Sequence, residues 1–402
     1  MGLPQEPRQM PLQPNQRCQS LTESVTLAIA GKAKKLKAEG ADVVSLSAGE
    51  PDFGTIDSVA EAGIQAIRNG QTRYTAAAGT PELRAAGAAW FQTEYGLDYS
   101  PAQVMATAGI KPALHMALMS ILEPGDTVLL PAPYWVSYPS LVEIAGGRSV
   151  DVAAVPEQGF VHTGEQILAA AREHNAKGVM LNYPNNPTGA VPTTDQIKEL
   201  VAAAVEADMW IISDEIYAKM TYDGAEFLSP ASLAPERTLV VNGGSKSHSL
   251  TGWRIGFLAG PTDIISAAAK MQSQAIGNPC SISQAAGLVA AAADHQAEIA
   301  QRVRSFDERR QYLVAALNKI DGLAAQMPLG AFYVMCDARQ LCERLGIDDV
   351  ELCSRLLDEV GLALVPGQPF AAPGFVRLSY AASMDDLQEA VARLGKFAEI
   401  KA

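Results

Sequence analysis

The sequence predicts an α/β chain: a doubly wound, mainly parallel sheet in a large domain, with a smaller α+β domain beside it. Three observations lead there. Short apolar runs of strand length alternate with stretches of helix length from Val104 to about Lys246. Most of those runs end in a cluster of polar or aromatic residues. After about residue 295 the alternation stops, and a long charged stretch is followed by separated strands and helices.

Taken in order, residues 1–20 are rich in Pro and Gln, with no apolar core and no cleavage pattern, and suit a flexible arm rather than a signal peptide. Ser24 to Gly40 forms a predicted helix with four lysines on its wet side and a glycine stop. Val43–Ser47 follows as a strand and runs into the turn Gly49-Glu50-Pro51-Asp52-Phe53, where Gly49 lets backbone approach a ligand. Arg73-Tyr74-Thr75 falls in an exposed loop. Val104–Thr107 is a short strand, and Gly109-Ile110-Lys111 leads into a helix expected to begin at Pro112, because a proline there has no N–H to leave unpaired. Such a helix start after a glycine turn seats a phosphate.

Thr127–Leu130 is a buried strand ending at Tyr134-Trp135, and Val179–Asn182 is another, ending at Asn185-Asn186-Pro187-Thr188-Gly189. Thr193 and Gln196 form a capping box for the next helix. Trp210–Ser213 delivers Asp214-Glu215-Ile216-Tyr217, and Thr238–Val241 leads to Ser245-Lys246 and on to Arg254. Beyond these come helices at Gln296–Lys319, near Val350–Val360 and from Ser383, and a strand through Gly374–Tyr380. In that strand Arg377 faces opposite to Val376 and Leu378, either toward a site or, on an edge strand, toward water. Residues 21–50 and 296–402 are expected to build the small domain, and 51–295 the large one.

Composition removes several classes of function. With 402 residues, 48% of them hydrophobic and 19% charged, the chain suits two soluble domains. A net charge of −13 argues against nucleic acid or an anionic membrane as partner, and no apolar run reaches membrane-spanning length. Five cysteines without a CxxC pair and five scattered histidines point to reduced thiols in the cytoplasm and to no metal site. In so acidic a chain, an anion pocket has to be built from particular basic residues.

In open α/β sheets ligands sit beyond the carboxyl ends of the strands, where these clusters fall. A lysine at the mouth of a buried strand loses charge by desolvation and becomes a nucleophile. Ser245 and Arg254 beside Lys246 suit a phosphate, and an amine beside a phosphate clamp is what a Schiff base with pyridoxal 5′-phosphate (PLP) requires. The alternative for one lysine taken alone is a solvated side chain. The other clusters answer it: Asp214 suits the pyridine nitrogen, Tyr217 and Asn186 the phenolic oxygen, Trp135 the ring face, and the amides of Ile110 and Lys111 after Gly109 the phosphate.

These motifs resemble the class I aminotransferases of PLP fold type I, in the bacterial-type branch of aspartate and prephenate aminotransferases. The resemblance runs from about Ser24 to Phe397. It rests on Gly49-Glu50-Pro51-Asp52-Phe53, Tyr134 through Tyr138, Asn186-Pro187-Thr188-Gly189, Asp214-Glu215-Ile216-Tyr217, Ser245-Lys246 with Thr251-Gly252-Trp253-Arg254, and Arg377-Leu378-Ser379. It implies ping-pong transfer of an amino group between an acidic amino acid, aspartate first, and 2-oxoglutarate or oxaloacetate. It also implies that Arg377 pairs with the substrate α-carboxylate beside Asn186, Trp135 and the backbone at Gly49. A homodimer follows from it, with Tyr74 reaching the neighbouring subunit's phosphate.

Two departures stand out. Ile110 and Pro112 occupy positions where relatives often carry a small and a donor-bearing residue, so one phosphate donor fewer is expected. Thr22 stands where some dicarboxylate-using relatives place a basic residue. The far carboxylate then falls to Lys111 and to the hydroxyls of Ser24 and Thr26. Prephenate, aromatic or alanine specificity, or a lyase acting at Cβ or Cγ, would share lysine, aspartate and arginine. A non-catalytic regulator would need a DNA-binding module ahead of this region, and residues 1–20 are too short and too weakly basic to supply it.

Overall fold

The computed structural model describes residues 12–21 and 25–400. Its centre is a seven-stranded sheet. Across the sheet the order is Val104–Thr107, Gly256–Ala259, Thr238–Asn242, Trp210–Asp214, Gly178–Asn182, Thr127–Pro131, Arg148–Val152. Gly256–Ala259 runs antiparallel to both of its neighbours, and the other strands run one way. The expected mainly parallel, doubly wound sheet is present, with two strands that sequence reasoning did not find.

Alternation of side chains explains the layering. Leu239 and Val241 pack with the helices Ile110–Ile121 and Thr262–Ala275 on one face. Val240 between them packs on the other face, with Leu83 and Phe91 of the helix Pro81–Tyr95 and with Ala286 and Ala290 of the helix Ser281–Ala292. Successive strand residues point to opposite faces, so a run apolar at every position is buried on both.

The helix after Gly109 begins at Ile110, two residues before the expected start at Pro112. Gly109 (φ +94°) makes the turn, and Pro112 is tolerated third because the first amides of a helix have no intrahelical acceptor. Those free amides therefore belong to Ile110 and Lys111, the residues singled out for phosphate.

A second unit is built on a four-stranded antiparallel sheet ordered Val365–Pro366, Phe375–Ser379, Tyr333–Asp337, Ala324–Ala325. Val44–Ser45 pairs in parallel with Leu362–Ala363 beside it. Arg377 pairs with Met335 on one side and Val365 on the other, so its strand is internal and the water-facing alternative is excluded. The helix Gln296–Leu317 spans both units: Ile299 packs in the first, and Phe306, Leu313 and Leu317 in the second.

Within the stretch expected to be an arm, Gln16–Ser20 forms a short helix capped by Asn15 and tied to Glu143 by the Ser20 hydroxyl. Thr22 and Ser24 lie outside the described residues. Among the described residues no helix is long and apolar enough to cross a membrane.

Candidate active site

A cavity of about 460 Å³ opens between the two units at the carboxyl ends of the large sheet. Gly49, Lys111, Trp135, Asn186, Ser245, Lys246, Arg254 and Arg377 all line it, although they come from distant stretches of the chain.

Lys246 follows the strand Thr238–Asn242, and its Nζ donates to the Gly49 carbonyl at 2.5 Å. Burial lowers its pKa to about 8, against the opposing charges of Glu50 and Asp214. A neutral amine is thus within reach near physiological pH. Asp214 ends the adjacent strand, 3% exposed. Burial raises its pKa to about 6, although the Tyr138 hydroxyl, the Ile216 amide and the charge of Lys246 favour the carboxylate. Tyr138 donates to Oδ2 at 2.8 Å and Ile216 to Oδ1 at 3.3 Å.

Asn182, at the end of the next strand, joins two parts of the site. Its Nδ2 donates to the Asp214 carbonyl at 2.9 Å, and its Oδ1 accepts the Asn186 amide at 3.0 Å. Asn186 Oδ1 then accepts Arg377 Nη1 at 3.0 Å, while Nη2 donates to the Ser47 carbonyl at 3.0 Å. Arg377 is 1% exposed, between Tyr333 (4.5 Å) and Phe370 (5.1 Å). Its Nε has no partner among the described residues. Tyr217 and Tyr333 share a hydrogen bond of 2.8 Å between hydroxyls.

At the opposite wall the Arg254 guanidinium lies against Gly109. A Cβ on Gly109 would come within 2.7 Å of Nη2, and its φ of +94° disfavours any other residue. Arg254 Nη1 donates to the Thr251 carbonyl at 2.9 Å. Lys111 Nζ sits 4.8 Å from the centroid of the Trp135 ring, and burial and then Arg254 lower its pKa. Trp135 in turn meets Tyr138 edge-on at 5.6 Å.

The sequence profile described as aminotransferase class I and II matches residues 41–394. The chain belongs to that family. The aspartate aminotransferase of Geobacillus stearothermophilus is 44% identical over 390 residues, 96% of this chain and 99% of that one. The aspartate/prephenate aminotransferase of Thermus thermophilus is 42% identical over 384 residues, 95% and 98% of the two chains. The solved structure of aspartate aminotransferase from Thermus thermophilus with maleate superposes with a TM-score of 0.91 at 42% identity, covering 96% and 99%.

In this aminotransferase most of the residues singled out from sequence meet in one cavity. Two do not. Tyr74 is 97% exposed on the single chain. Thr26 belongs to the helix Val25–Ala38, whose Ala30 lines the cavity, but its side chain lies outside what is described. Tyr138, Tyr333 and Asn182 were missed as site residues. Tyr333 and Asn182 sit in runs that are otherwise buried, whereas Tyr138 lies among half-buried residues.

Proposed function

We propose that this aminotransferase exchanges the amino group of aspartate with a 2-oxo acid, 2-oxoglutarate or oxaloacetate, using PLP held at Lys246. One observation carries the reading: half-buried Lys246 and buried Arg377 face a single cavity of about 460 Å³, and buried Asp214 ends the strand beside the one that leads to Lys246. The donor set fits the coenzyme. Arg254 against Gly109, the amides of Ile110 and Lys111, and the Ser245 hydroxyl surround space suited to a phosphate. Asp214 matches a protonated ring nitrogen. With Oδ1 taken by Arg377, Asn186 keeps Nδ2 to donate beside the Tyr217 hydroxyl toward a phenolate oxygen.

When bound, PLP supplies an electron sink for the charge left at the substrate Cα once its proton departs. The chain's own residues do the rest. Arg377, fixed by Asn186 and Ser47, presents its guanidinium to the α-carboxylate. Lys246 takes the proton at Cα and returns it on the coenzyme side, acting as base and then as acid. Trp135 covers one face and excludes water.

The aspartate preference draws on the names of the relatives and on a similar structure that holds maleate, a dicarboxylate. A second carboxylate buried without a cation is costly, and Lys111 is the cation on the cavity wall next to Trp135. Lys111→Ala is therefore expected to lower kcat/KM for aspartate and 2-oxoglutarate roughly thirtyfold, about 2 kcal/mol, and far less for an apolar donor. Equal losses for both donor types would assign Lys111 to the phosphate alone. Relatives named for prephenate as well support a larger acceptor whose second carboxylate uses the same contact.

Tyr138→Phe removes the hydroxyl that opposes the burial of Asp214. The acid limb of PLP binding, set near pH 6 by Asp214, should move up by about one unit. Titration of coenzyme affinity against pH checks this, and an unmoved limb would separate Tyr138 from Asp214 function.

We also propose a homodimer. Tyr74, exposed on one chain, then supplies its hydroxyl to the phosphate of the neighbouring subunit. Five free cysteines suit a reducing compartment, the cytoplasm.

A further inference from the structure

Both crossings between the two units meet at the loop that carries Lys246. One crossing runs from Leu46, in the core of the smaller unit, to Ile56, in a core of the larger. The other is the helix Gln296–Leu317. From this helix Arg302 donates through Nη1 to Ser249 Oγ at 2.9 Å and to the Ser247 carbonyl at 3.3 Å. Its Nη2 donates to the Gly54 carbonyl at 2.7 Å. Arg309, farther along the helix, donates to Asp52 at 2.9 Å, and the two guanidinium groups lie 5.6 and 5.3 Å from the Phe53 ring.

Ser249 is the strained point of this junction. Its φ of +55° is a left-handed conformation that a residue with a Cβ holds only under constraint. Arg302 fixes its hydroxyl, and Thr55 Oγ1 fixes its carbonyl at 3.0 Å. The loop closes on itself as well: the Leu250 amide donates to the Ser245 carbonyl at 3.1 Å, and the His248 amide to the Gly244 carbonyl at 3.0 Å. A change of backbone at Ser249 therefore reaches Ser245 and Lys246.

We infer that Arg302 is a positioning residue that holds the strained Ser249 turn, and so Lys246, in register with both connections between the units. The inference rests on Lys246 carrying the coenzyme. Arg302 itself does not line the cavity. Its forked guanidinium spans three acceptors on two segments, and a lysine ammonium keeps the charge without that reach.

The test is a pH titration of the visible absorbance of the PLP-loaded enzyme, with coenzyme affinity measured alongside. In Arg302→Lys the apparent pKa of the absorbance should move by about half a unit or more, and PLP affinity should fall roughly tenfold. Adding Ser249→Gly should restore at least half of the pKa shift, because glycine adopts this φ without a clamp. Thr55→Val, which removes the second brace, should shift the pKa in the same direction by less, and it provides the test if Arg302→Lys does not fold. An absorbance pKa unchanged in Arg302→Lys, or a shift that Ser249→Gly leaves intact, overturns the inference. Persistence of the absorbance in Lys246→Ala would instead strike the reading of Lys246 itself.

Discussion

Turnover in Lys246→Ala is expected to fall by at least about 10⁴-fold while weak PLP binding remains. The proposed phosphate cradle of Arg254, Gly109 and Ser245 does not use the amine, so the coenzyme would keep a seat. What disappears is both the covalent hold and the base that moves the proton. Absorbance and steady-state rates measure the two losses together. The wild-type amine adds a pH signature, because burial lowers its pKa to about 8 and only the neutral amine attacks a carbonyl. Capture of PLP by the coenzyme-free enzyme should thus quicken as pH rises through 8 and level off above it. Wild-type-like turnover in the alanine variant would end the assignment of Lys246.

The sequence revealed those parts of the site that sit where strands end. Asp214, Asn186 and Lys246 each follow an apolar run, and a doubly wound sheet brings such ends to one edge whatever the loops do. Arg377 could be placed on a strand, but its neighbours decided whether it faced a site or water. Only the pairing of its strand on both sides settled that.

The missed features share a physical cause. Tyr138 reaches Asp214 across 76 residues of sequence, and Tyr217 reaches Tyr333 across 116, so no local pattern marks either pair. Arg148–Val152 lies at the sheet edge with one buried residue in five, which leaves little apolar signal. Gly256–Ala259 is four residues long and follows the Arg254 turn directly, so it merges with the loop before it. The helix start at Ile110 escaped because proline marks the first turn of a helix rather than one position within it.

Asp214→Asn is expected to lower kcat by on the order of 10²–10³-fold, with a smaller effect on PLP affinity at neutral pH. The change keeps the shape, removes the charge facing the ring nitrogen and turns one of the two acceptor oxygens into an NH2 donor. That charge matters most when electrons flow into the ring, so the loss falls on the chemical step. A pH comparison isolates the cause. In the coenzyme-free chain Asp214 ionises near pH 6, raised from 3.8 by burial. Below that pH the wild-type carboxyl is protonated and offers the ring no charge, so its advantage in PLP affinity over the asparagine variant should shrink about tenfold per unit. The phosphate of PLP titrates in the same range but equally in both proteins, so the difference between the two curves reports Asp214 alone. An asparagine variant with altered PLP affinity but wild-type single-turnover rates would show that Asp214 anchors the coenzyme without tuning its chemistry.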